Sequence, residues 1–256
     1  MRVGNNYVFK KAGSFTGLSA ENATMKGVSL KTVFLLLITI ATTVLSMTFG
    51  KVSHIASGGI ILAGYILSPI LTFVLSITMS LTPKSAKFLA VPYAIFEGLS
   101  IGSISIILTY VLGGNKAGML LGLALFITIS IFLVGAILYS TGIVKITTKF
   151  RRFMFIMLIG VAIVTSFISI ASIFSSTLYA LFLGDSTLSI VITIISIIVA
   201  SAYTLISFDN AYSIVQSSLD KDYEWYASFG IILNVIWLFY EILRLLLIIL
   251  SRSRRN

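Results

Sequence analysis

Three carboxylates stand where carboxylates are hardest to keep. Of the eight acidic residues in the chain, Glu97, Asp209 and Glu241 fall within or at the ends of long apolar stretches. An ionised acid in the middle of a bilayer persists only with a counter-charge, a proton or a water-filled cavity. The chemistry such groups offer is titration and transient cation contact, and Asp209, Glu97 and Glu241 are the candidates for it.

Each acid also has a plain structural reading. Glu241 has Arg244 three residues on, a spacing that permits an ion pair, although Arg244 can also snorkel outward. Asp209 lies near the end of its stretch, where it can cap or be solvated. Glu97 has no base within reach on its own stretch, Lys87 lying ten residues back at its edge, so a site, or a proton that keeps it neutral, is the favoured reading. Asn234 precedes Glu241 by seven residues and shares its helical face. Gly98 and Gly102 follow Glu97 at a spacing that lets helices approach closely, so Glu97 is expected to face another helix rather than lipid.

Catalytic constellations are missing, and an enzyme is not expected. There is no cysteine, which removes thiolate nucleophiles, thiolate metal sites and disulfides. The single histidine, His54, falls in a loop and has no evident nucleophile to serve. An intramembrane aspartyl protease needs two facing aspartates. Asp209 is the one aspartate near a span core, and Asp185 is placed in an outer loop. No phosphate-cradling glycine loop with a lysine occurs, no zinc ligand set is present, and no cofactor is expected.

The elements that must position these acids are set by composition. In 256 residues, 58% are hydrophobic and 10% are charged, against roughly 25% charged in a soluble domain. Such a chain cannot cover itself with a water-compatible surface, so its partner is the lipid bilayer. Seven apolar segments can each cross a hydrocarbon core that takes about 20 helical residues. They run over Leu30–Phe49, Ser57–Ser80, Ala86–Leu112, Ala117–Tyr139, Phe153–Ser175, Leu188–Phe208 and Ser228–Leu250. The runs lack the alternation of a membrane barrel, so the fold class is an all-α bundle of seven transmembrane helices. A basic tail, 1–29, precedes the transmembrane domain of 30–250, and a second basic tail, 251–256, follows it.

Depth follows from the 1.5 Å rise per residue. Glu97 lies about 16 Å along its helix, Asn234 roughly 9 Å and Glu241 roughly 20 Å, while Asp209 sits at the boundary. Lysines and arginines in short loops set orientation. Lys84, Lys87, Lys145, Lys149, Arg151, Arg152 and Lys221 fall on the side of the N-terminus, which predicts a cytoplasmic N-terminus in the plasma membrane. The terminal Arg252, Arg254 and Arg255 are the conflicting signal. The net charge of +10 reads as topology and headgroup contact, with no nucleic acid as partner. Pro69 and Pro92 predict kinks. Tyr223, Trp225 and Tyr226 read as an interfacial anchor ahead of the last span.

The C-terminal third carries a resemblance. Ser207-Phe-Asp-Asn-Ala-Tyr-Ser-Ile214, Glu224-Trp-Tyr-Ala-Ser-Phe-Gly230 and Leu233-Asn-Val-Ile-Trp-Leu-Phe-Tyr-Glu-Ile-Leu-Arg244 resemble the Bax inhibitor-1/YccA family, in its bacterial branch with a basic tail. Phe96-Glu-Gly-Leu-Ser-Ile-Gly102 and Thr147-Thr-Lys-Phe-Arg-Arg152 fit that branch. The resemblance implies seven helices with the last one central and a pH-sensitive calcium leak. In the prototype, aspartates on the sixth and seventh helices share a proton and control the pore. Asp209 matches the first, but Asn234 stands at the second, and Ser57–Ser80 holds no base to match the prototype's basic partner. The sensor is then either absent or rebuilt from Asp209 with Glu97 or Glu241.

Three functions follow as expectations. The first is a passive cation leak preferring calcium, with protons as regulator and Asp209 as a transient cation contact. The second is a non-transporting partner of another membrane protein, with Gly98–Gly102 as a candidate contact. The third is proton-coupled transport of a small solute through a midplane cavity lined by Glu97 and Glu241.

Overall fold

Apolar runs of this length satisfy their backbone in lipid only as helices, and the chain folds that way. The computed structural model describes residues 21–52, 54–175, 177, 184 and 186–253. Among them, seven helical segments are long and apolar enough to cross a membrane. Span 1 is Met25–Val52. Span 2 joins the α-helix His54–Ile61, a π-helical stretch Leu62–Leu67 and the α-helix Ser68–Leu81. Span 3 is Ala86–Leu112, span 4 Gly114–Ser140, span 5 Thr148–Phe174, span 6 Thr187–Gln216 and span 7 Tyr223–Ser253.

The last helix is the hub. Span 7 packs against spans 6, 1, 4 and 3, and 56% of its most apolar stretch is buried, against 6% for span 5. One layer of core joins Leu35, Met79 and Ala94 to Phe229, Ile232 and Ile236. A second joins Ala124 and Ala200 to Leu238, Phe239 and Ile242. Span 5 touches the bundle through span 6, where Met154 meets Val199 and Ile206.

Several boundaries differ from the sequence reading, for physical reasons. Residues 25–29, assigned to the tail, form the first turn of span 1. Residues 1–20 and 254–256, which hold the rest of both tails, lie outside the described residues, as does Asp185. Span 6 does not end at Phe208 but continues to Gln216. A charged residue does not stop a helix when alternate turns still bury apolar groups, here Ala211 and Ile214. Span 7 starts at Tyr223, so the aromatic trio lies within it. Trp225 sits under the Lys31 ammonium at 5.3 Å and edge-on to Phe34, and Tyr226 packs on Phe229. Trp225 thus docks span 7 on span 1, and Tyr226 packs within span 7.

The two prolines act differently. Pro92 is accommodated inside the unbroken helix of span 3. Pro69 follows the π-helical stretch, where the Ser68 N–H and hydroxyl both donate to the carbonyl of Ala63, the hydroxyl at 3.0 Å. Proline lacks an N–H and crowds the carbonyl four residues back; a widened turn relieves both.

The glycine pair packs spans 3 and 1 together. A Cβ on Gly98 would lie 2.5 Å from the Thr39 carbonyl oxygen, and one on Gly102 would lie 2.5 Å from Ser46 Cβ. Thr39 and Thr43 hydroxyls donate across the crossing to the carbonyls of Ala94 (3.3 Å) and Gly98 (3.1 Å). This surface is therefore consumed within the chain, which removes it as a contact for a second protein.

Candidate functional site

Asp209 is held by its neighbours in space, not by the other acids. Its Oδ2 is ion-paired with Nη2 of Arg151, at the start of span 5. Its Oδ1 accepts the Tyr139 hydroxyl of span 4 at 3.0 Å. Nη1 of Arg151 donates to the Asn210 amide oxygen at 2.5 Å. Thr147 caps span 5 by accepting the Phe150 N–H at 3.2 Å, which fixes the turn that presents Arg151. The side chains of Arg151 and Asp209 remain 36% and 22% exposed. The pair thus ties spans 4, 5 and 6 together near the rim of the bundle.

Asn234 faces span 6 one turn deeper. Its amide nitrogen donates to Ser207 Oγ at 2.5 Å, to the Gly230 carbonyl at 3.0 Å and to the Tyr203 carbonyl at 3.4 Å. Ser207 Oγ in turn donates to the Gly230 carbonyl at 3.2 Å. Asn234 is 6% exposed, and its amide is used in clamping span 7 to span 6. It makes no hydrogen bond to Asp209 among those described.

Glu97 is a separate site. It is 8% exposed and accepts the Tyr240 hydroxyl at 3.3 Å. The Tyr93 and Thr72 side chains also stand near its carboxylate, with the Thr72 hydroxyl donating to the Pro69 carbonyl at 3.2 Å. Glu97 lines a pocket of about 160 Å³ between spans 2, 3 and 7, with a mostly apolar wall, together with Gly64, Tyr65, Pro69, Thr72, Ser100, Ile104 and Tyr240. Glu241 does not line that cavity, because Tyr240 takes the position on span 7 that faces it. Glu241 instead accepts the Trp237 indole N–H at 3.2 Å on its own helix and feels the Arg244 charge. Its other oxygen is buried without a hydrogen-bond partner among the described residues.

One carboxylate escaped the sequence reading. Glu224, in the first turn of span 7, is 1% exposed. It is ion-paired with Lys31 and accepts the Thr24 N–H at 2.8 Å and the Thr24 hydroxyl at 3.0 Å. Gly27 lies so close that any Cβ there would collide with the carboxylate. The signal was present as a lysine inside the apolar run of span 1, which requires a partner.

Around Glu224 the chain is zipped. Asn22 and Asp220 form an antiparallel bridge, and the Ala23 and Lys221 N–H groups donate to the carbonyls of Leu219 and Glu21, both at 2.8 Å. Lys221 pairs with Glu21. That hydrogen bond and charge hold the Glu21 carboxyl below the usual glutamate value and push Lys221 up. Lys84 and Lys87 reach Asp220 and Asp222 at 3.4 and 3.0 Å. Among the described residues, all five ion pairs lie at this end of the bundle, and no group of three acids, histidines or cysteines could hold a metal ion.

The architecture defines a class, that of polytopic α-helical membrane proteins with a central last span and acids buried between helices. Within that class, a family model described as Bax inhibitor 1 like matches residues 5–251, and the chain belongs to that family. No curated protein and no solved structure matches it.

Proposed function

We propose that the protein is a pH-sensitive passive cation leak, with calcium the preferred ion, lying in the plasma membrane with its N-terminus in the cytoplasm. The observation that carries this reading is the Asp209–Arg151 pair, which joins span 6 to the least buried span of the bundle. Both Asp209 oxygens are occupied at rest, by Tyr139 and Arg151. A cation can use this carboxylate only by displacing the guanidinium. A proton on Asp209 removes the charge that Arg151 answers, and the link between spans 5 and 6 loosens.

The groups on the Asp209 carboxylate are Arg151 from span 5 and Tyr139 from span 4; Asn210 in turn meets Arg151, and the Tyr212 ring meets Tyr139. Asn234 stands behind Ser207, where the resemblance places a second acid in the prototype. An acid paired with a guanidinium therefore replaces two acids sharing a proton. Calcium takes six to eight hard oxygens, so the leak passes a largely hydrated ion across a single carboxylate. The dense basic residues at the N-terminal end, Lys84, Lys87, Lys149 and Arg152 among them, support the orientation.

Calcium flux into proteoliposomes across a pH series tests the proposal. Wild type is expected to leak more as pH falls, and Asp209→Asn to leak at neutral pH with little further response. Identical flux and pH dependence in the two proteins removes Asp209 from the mechanism. No flux at any pH, with a second membrane protein retained on purification, turns the reading to a non-transporting partner.

A further inference from the structure

The cavity at Glu97 is not used by the rim mechanism, and its composition asks for an occupant. Among the residues that line it none is basic. The elements packed around Glu97 bring Tyr93 and Ser100 from span 3, Thr72 from span 2 and Tyr240 from span 7, all neutral. Span 1, beside Gly98, brings Thr39 and Thr42, also neutral. A carboxylate buried in the membrane without a basic partner needs a proton or a cation. The space of about 160 Å³ holds a small ion or a few waters.

The backbone is shaped for this. Gly64 and Tyr65 lie in the π-helical stretch of span 2, a feature frequent at functional sites. A Cβ on Gly64 would sit 2.5 Å from the Leu99 carbonyl oxygen, so only glycine lets span 2 come this close. Ser100 Oγ donates to the Gly64 carbonyl at 2.9 Å and fixes the approach. One carboxylate and three hydroxyl-bearing side chains, Thr72, Ser100 and Tyr240, thus line the same pocket.

We propose that the Glu97 cavity is a binding site for a small monovalent cation, sodium, for which protons compete at the same carboxylate. A single negative charge among neutral hydroxyls is balanced by one positive charge. Calcium draws more oxygen ligands, commonly from several carboxylates, and the cavity offers one. The site stands apart from Asp209 and does not depend on the leak.

The test is infrared difference spectroscopy on the purified full-length protein, titrated with acid in sodium chloride or in choline chloride of equal ionic strength. A protonated carboxylic signal is expected that is absent from Glu97→Gln. Its midpoint should move to lower pH with sodium and stay fixed with choline, by about one pH unit per tenfold rise once the site is saturated, as reciprocal linkage requires. A Glu97 signal that sodium does not move relative to choline overturns the proposal. Should Glu97→Gln fail to fold, Tyr240→Phe keeps the ring packing and removes one hydroxyl. It should then need roughly threefold to tenfold more sodium for the same shift, the worth of one hydrogen-bonding group. A folded Tyr240→Phe with unchanged sodium dependence also overturns it. Calcium flux is not part of this readout, so failure here and failure of the leak are separate results.

Discussion

Two ion pairs at the same end of the bundle use the same chemistry to different ends. Glu224 is sealed: 1% exposed, satisfied by Lys31 and by two donors of Thr24, and closed over by Gly27. Asp209 is open: part of both partners meets solvent, and its base comes from the helix with the fewest neighbours. Breaking the first strands a charge in a dry place, whereas water can replace the second. A pair of the first kind fixes a fold, and a pair of the second kind can serve as a latch.

The comparison breaks most visibly at Glu224. Glu224→Ala leaves Lys31 and the Thr24 N–H without their partner, and loss of one member of a buried pair costs ~3–5 kcal/mol. The expected result is a large fall in thermal stability in detergent or loss of folded protein. Gly27→Ala attacks the same pin without changing charge. Overpacking against a carboxylate held on several sides should cost ~1–3 kcal/mol, read as a smaller drop in melting temperature.

At the latch, Arg151→Ala should barely alter stability, since a partly exposed pair contributes at most ~1 kcal/mol. It should nevertheless raise calcium flux at neutral pH. A large loss of stability with unchanged flux would erase the distinction between the two pairs. Asn234→Asp sharpens the contrast from the other side. It removes the amide donor that clamps span 7 to span 6 and should lower thermal stability more than Arg151→Ala does.

The smallest effect belongs to Glu21 and Lys221, both at the surface. Because Glu21 is held below its ordinary value, its contribution is complete at neutral pH and is lost as pH falls through that depressed value. Lys221 is pushed up, so its share is present below its ordinary value and lost as pH rises through the raised one. Hydrogen exchange at Ala23, whose N–H bonds Leu219, should quicken at both extremes while Thr24, bonded by Glu224, stays protected in between.

The spans were legible because a hydrophobic run of twenty residues has one stable form in lipid. Their ends were not, since hydropathy stops at the first charge while a helix stops where packing does; span 6 ran on past Asp209 for that reason. The central place of the last helix followed from the resemblance and is borne out by burial. The acids were found by their depth, but their partners were not. Arg151 was read as a topology signal because its carboxylate is 58 residues away, and no local pattern joins the two. Glu224 carries no local signal of its own, because the lysine that needs it lies in span 1. The spacing of the glycine pair points to a helix contact, and only the packing shows that span 1 of the same chain lies against it.

The bond between Thr24 and Glu224 joins residues 200 positions apart, and it has a consequence for biogenesis. Ribosomes deliver roughly 5–20 residues per second, so the first helix waits on the order of 10–40 s at that pace for the helix that carries Glu224. During that interval Lys31 sits in the membrane without its carboxylate. A ribosome stalled before the final helix leaves a product in which this lysine has no counter-charge from Glu224.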